Sequence, residues 1–97
     1  MTIQIENLEN SVLVTFIGSL DTDAAMQAES QLLGIEPTNM TLDCTEMDYI
    51  TSSGLRLFLQ LMKKARSVGK TVTLRGVQPS VMEILKVTHF DQMFTIE

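Results

Sequence analysis

Along this chain the spacing of apolar side chains switches between a repeat of two residues and one of about 3.6, and Gly, Pro, Asp or Ser marks the changes. That alternation leaves few architectures open. A chain running strand, strand, helix, strand, helix, strand, helix must lay helices on a sheet. Residues 2–6 alternate with Ile3 and Ile5 on one face, residues 7–10 supply turn chemistry, and residues 11–18 form a richer strand around Val12, Leu13, Val14, Phe16 and Ile17. Two strands across so short a link predict an antiparallel hairpin. After Gly18-Ser19-Leu20, Asp21 or Thr22 caps a helix over 21–33, with Asp23 placed to meet the helix dipole. Gly34 stops that helix and Pro37 prevents its resumption.

Residues 40–44 (MTLDC) read as a short central strand covered on both faces, with Asp43 reaching its end and Cys44 a buried small hydrophobe. A helix over 53–68 follows, with Leu55, Phe58, Leu59, Met62 and Ala65 inward, which leaves Leu57 and Leu61 off the main stripe and available to a surface. Gly69 closes it, and residues 71–75 form a strand parallel to 40–44. Pro79 opens a third helix over 79–88, with Val81, Ile84 and Leu85 inward and Val87 a further candidate, and residues 94–96 add an edge strand. The expectation is one α/β domain over residues 1–97, with a mixed sheet of four to five strands, an N-terminal hairpin and three to four helices.

Composition narrows the function. Ninety-seven residues, 44% of them hydrophobic, build one core and leave no room for a large enclosed active site. Twelve acidic against seven basic residues give a net charge of −5, and no basic cluster exceeds that at 63–66, so nucleic acid is excluded as the main ligand. The single Cys44 permits neither an internal disulfide nor a cysteine zinc site, as suits a reducing compartment. No apolar run reaches about 18 residues and no secretory signal pattern is present, so a cytoplasmic protein without a membrane span is expected.

The chemistry concentrates in Asp48-Tyr49-Ile50-Thr51-Ser52-Ser53-Gly54-Leu55, where a strand hands over to a helix through three consecutive hydroxyls. Ser and Thr favour such a junction because their oxygens accept orphan backbone N–H bonds, worth about 1 kcal/mol. One cap, however, uses one hydroxyl of the three. Gly54 in the first turn costs helix stability and is explained by a close approach to its backbone. An exposed serine at a helix N-terminus is a place where a phosphoryl group is tolerated without unfolding.

These segments carry a resemblance. Gly18-Ser-Leu-Asp21, Thr41-Leu-Asp-Cys44, Tyr49-Ile-Thr-Ser-Ser-Gly-Leu55, Gly69-Lys-Thr-Val-Thr-Leu74 and the stretch from Pro79 to Phe94, in this order over nearly the whole chain, resemble a STAS domain of the stand-alone bacterial anti-sigma factor antagonists. The resemblance implies a STAS-type fold and a binding module, not an enzyme. The first serine of the Ser-Ser-Gly triplet, here Ser52, would be phosphorylated by an anti-sigma factor that doubles as a serine kinase of the histidine-kinase-like ATPase fold. A PP2C-type phosphatase would reset it, and the free domain would be a monomer without cofactor. Thr51 stands where the best-known members carry aspartate, so Thr51 and Ser53 are rival acceptors. The expected partner surface comprises Asp21, Asp23, Glu46, Met47, Asp48, Tyr49, Thr51, Ser52, Ser53 and Leu57, with Met47 as a soft contact.

Two alternatives stand beside it. One is a STAS scaffold subunit of a signalling or lipid-transport assembly, in which the serine only caps. The other is a receiver-like, Mg²⁺-dependent phosphoacceptor that uses Asp21, Asp23, Asp43 and Asp48, although no lysine follows a later strand end where that chemistry would need it. His89, the only histidine, has no Ser/Asp arrangement around it.

Overall fold

Apolar residues two apart on three neighbouring strands place one row of side chains on one side of a sheet, and three helices cover that row. The computed structural model describes residues 1–97. Its elements are β1 (Thr2–Asn7), β2 (Ser11–Leu20), α1 (Thr22–Leu32), β3 (Asn39–Ile50), α2 (Ser52–Arg66), β4 (Val72–Arg75), α3 (Pro79–Val87), a short 3-10 turn (Phe90–Gln92) and β5 (Thr95–Ile96). The strands lie in sequence order, β1-β2-β3-β4-β5. The opening hairpin is antiparallel and every later pair is parallel. Parallel neighbours joined in one direction by right-handed crossovers put all three helices on the same face.

The core takes Val12, Val14 and Phe16 from β2, Met40, Leu42 and Cys44 from β3, and Val72 and Leu74 from β4. Against them pack the small residues Ala24, Ala25 and Ala28 of α1, the broad face of α2, and Val81 and Leu85 of α3. Phe58 stands at the centre, its ring 5.5 Å from that of Phe16 and 6.4 Å from that of Phe94. Lys64 of α2 reaches across to donate to the carbonyls of Leu33 and Ile35. It thereby supplies the cation that α1 lacks in its own last turn.

Several expectations need correction. The central strand is covered on one face only: Thr41 and Asp43 are half-exposed on the open side, beside Thr73 and Arg75 of β4. The strand also does not stop at Cys44 but runs to Ile50. Two irregularities let it do so, because β3 inserts one extra residue opposite Thr15–Ile17 and another opposite Gly18–Ser19 of β2. Each insertion is a β-bulge, which resets which side chains point inward. The inward residues become Cys44, Met47 and Ile50, three apart, with exposed pairs between them.

Leu57 and Leu61 are 2% and 4% exposed, so both belong to the core, while Leu59 is only half-buried. Leu61 lines a crevice with Leu32 of α1, which shows the cause: α2 packs on a helix as well as on the sheet and buries two rows of side chains. On α3, Val87 is 76% exposed and lies outside the core. His89, just past that helix, is exposed in a left-handed conformation with φ 62°.

Cys44 is fully buried, and desolvation, helped by the neighbouring Asp43 carboxylate, pushes its thiol up to about 12. Because the thiolate is the reactive species, the native protein should resist a thiol-specific reagent at neutral pH and react at one site per chain once unfolded in urea. Rapid labelling of the native protein would place Cys44 at the surface.

Candidate functional site at the start of helix α2

Leu20 of β2 and Ile50 of β3 are paired neighbours, so the turns that follow them lie at one end of the sheet, and α1 and α2 both begin there. Thr51 makes the second junction. Its backbone is extended, its N–H and its hydroxyl both donate to the Leu20 carbonyl, at 3.1 and 3.2 Å, and the same hydroxyl accepts the Gly54 N–H at 3.4 Å. Thr51 therefore ties strand to helix with its whole polar capacity. Ser52, the first helical residue, is exposed, and Ser53 is half-buried.

Gly54 is buried, and the close approach to its backbone comes from within the fold. A Cβ there would stand 2.7 Å from Cγ1 of Ile50 and 2.9 Å from Cδ2 of Leu20. Both neighbours are in the packed core and have nowhere to retreat. Gly54→Ala should therefore lose about 1–2 kcal/mol, the overpacking outweighing the gain in helix propensity, as a urea midpoint will report. A stabilised Gly54→Ala variant would show that this junction is loose.

The acidic candidates split by task. Asp21 caps α1 by accepting the Ala24 N–H at 2.9 Å, with Asp23 exposed in the first turn. Asp48 accepts from the Ser19 hydroxyl at 2.8 Å, which ties the two strand ends, and Ser80 of α3 donates to its carbonyl at 3.4 Å. Glu46 and Tyr49 are exposed at the same end. Asp43 lies apart, on the open sheet face. It accepts both the hydroxyl (2.6 Å) and the N–H (3.0 Å) of Thr45, and these bonds, with Arg75 a lesser aid, hold it below the ordinary carboxylate range. Asp21, Asp43 and Asp48 thus each serve a separate structural partner.

Met47 and Leu57 were expected on the partner surface and lie inside instead. Met47 is 0% exposed because the bulges turn it inward, and Leu57 is 2% exposed on the second buried row of α2. Neither offers a contact to a partner. The sequence reading missed the Ser19–Asp48 bridge and the Gln78 amide that donates to the Thr45 carbonyl at 2.8 Å. Both join residues about thirty positions apart, and no local pattern announces them.

The family pattern described as STAS domain matches residues 2–97. The chain belongs to the STAS domain family. Among relatives of this STAS domain is BtrV of Bordetella bronchiseptica, whose name provisionally assigns it as an anti-sigma factor antagonist. It is 25% identical over 99 residues, covering 99% of this chain and 85% of BtrV. An anti-sigma-factor antagonist (STAS) domain protein from Planctomyces limnophilus has the same fold, with TM-score 0.86 and 21% identity over 98% of this chain and 87% of that one. The anti-sigma factor antagonist SpoIIAA in its unphosphorylated form superposes with TM-score 0.78 and 17% identity, over 99% and 87% of the two chains. SpoIIAA, described as a Bacillus cell fate determinant, also has a structure in the phosphorylated form, to which this STAS domain aligns with TM-score 0.75. No helix of this STAS domain is long and apolar enough to cross a membrane.

Proposed function

We propose that this STAS domain is a phosphorylation-controlled binding module and not an enzyme. Unmodified, it captures an anti-sigma factor that is also a serine kinase of the histidine-kinase-like ATPase fold, and so frees a sigma factor. Phosphorylated on Ser52, it lets the partner go, and a PP2C-type phosphatase restores it. The proposed setting is the cytoplasm, and the partner footprint is the exposed set at one end of the sheet: Asp21, Asp23, Glu46, Asp48, Tyr49, Ser52 and the edge of Ser53.

One observation carries the choice of acceptor. Of the three hydroxyls, Thr51 is engaged in three hydrogen bonds at the junction, counting its N–H, and Ser53 is half-buried, whereas Ser52 stands exposed on the first residue of α2. A kinase needs a free oxygen, and a helix N-terminus accommodates the charge it adds. The name of BtrV and the two forms of SpoIIAA support the reading.

Mass spectrometry after incubation with ATP and a candidate kinase of that fold tests it. Label on Ser52 is expected. Label confined to Thr51 or Ser53 would move the switch, and a kinase that binds yet labels no hydroxyl would favour a scaffold subunit in which Ser52 has no regulatory part.

A further inference from the structure

The first 62 residues carry nine carboxylates and a single basic side chain, Arg56. All other basic residues lie at Lys63 or beyond, and two of the three in the last turn of α2 have structural tasks, Lys64 at the end of α1 and Arg66 on the Met93 carbonyl. Arg56 is different. It is exposed near the positive end of α2, where the helix dipole gives a cation no help. It follows Ser52 by four residues and Ser53 by three, which places it on the same helix face one turn on. It also lines, with Ser53, Thr22 and Glu29, the open groove between α1 and α2.

Resting on the reading of Ser52 as the modified residue, we propose that Arg56 is the internal counter-ion of the phosphoryl group. Its guanidinium reaches back one turn and donates paired hydrogen bonds to two phosphoryl oxygens, a geometry that suits arginine better than lysine. Without it a dianion would sit at the end of the sheet that also carries Asp21, Asp23, Glu46 and Asp48, with the helix N-terminus in its favour. With it, modification changes the surface twice. A negative charge is added, and the only basic side chain of the first 62 residues is withdrawn from the partner. The pair formed by residues 52 and 56 then passes from net positive to net negative, and the guanidinium is no longer free to meet a carboxylate of the partner.

The test uses the full-length chain with phosphoserine placed at position 52 during synthesis, so that it does not depend on any kinase. Phosphorus NMR titration reads the second ionisation of the phosphoryl group in this protein and in its Arg56→Ala and Arg56→Lys versions. Nearby carboxylates raise that ionisation equally in all three, so the differences report residue 56. It is expected about half a unit or more lower with Arg56 than with alanine, with lysine between, and the gap should shrink in about 1 M salt. Coincident titrations with arginine and alanine would overturn the proposal. A kinase that labels another hydroxyl would instead sink the Ser52 switch and leave this measurement to stand by itself.

Discussion

Ser52→Asp should fold as the wild type does and bind the proposed partner kinase about 100-fold more weakly or worse. The fold is expected to hold because the substitution places an anion on the first residue of α2, where the N–H groups of the first turn favour it by about 0.3–1 kcal/mol. Binding should fail because an interface built for a neutral hydroxyl then takes up a charge for which the partner offers no counter-ion, at a cost of several kcal/mol, and every 1.4 kcal/mol is about tenfold in affinity. Asp48 and Glu46, on the same end of the sheet, deepen the repulsion. Ser52→Ala should bind like the wild type and resist the kinase. Calorimetric titration of the three proteins decides the matter, with circular dichroism to establish that each is folded. Equal affinities for the aspartate and wild-type proteins would show that the partner does not read this position.

Phe58→Ala should lose about 3–5 kcal/mol, the largest single loss of stability expected in this domain. The side chain is fully buried, and its ring lies between those of Phe16 on β2 and Phe94 before β5. Its removal therefore loosens the contact of α2 with both halves of the sheet at once. A domain of this size is stable by only about 5–15 kcal/mol in total, so the variant should be substantially unfolded in mild denaturant. Leu57→Ala belongs in the same series at about 2–5 kcal/mol, whereas the half-buried Leu59 should cost less. Urea titrations order the three. A Phe58→Ala loss below about 1 kcal/mol would contradict the packing described for α2.

The order and type of the elements were legible in the sequence because each announces itself locally. The alternation in β2, the helical spacing in α2, Pro79 at the start of α3 and Asp21 at the start of α1 are all short-range signals. What escaped is what depends on a distant neighbour. The second buried row of α2 exists because α1 lies alongside, and periodicity read against a sheet alone cannot reveal it. The inward spacing of three at Cys44, Met47 and Ile50 matches neither a strand nor a helix, because the bulges form only against β2. The hydroxyl cluster was legible, since caps and turns are written in a few adjacent residues. The division of labour within it was not, because the fate of Thr51 rests on the Leu20 carbonyl, thirty-one positions away.

The irregular half of β3 spends eight residues, 43–50, where its partner strand spends six, 15–20. The surplus separates two jobs that a regular strand would have to share. Cys44, Met47 and Ile50 anchor the segment, and the pairs Thr45–Glu46 and Asp48–Tyr49 are held out toward whatever docks there. Thr45 holds Asp43 and Asp48 holds Ser19, whereas Glu46 and Tyr49 make no side-chain hydrogen bond within the fold and can vary in charge and size with little effect on the anchors. A domain built on this strand could change what it binds at those two positions while the sheet beneath them stays as it is.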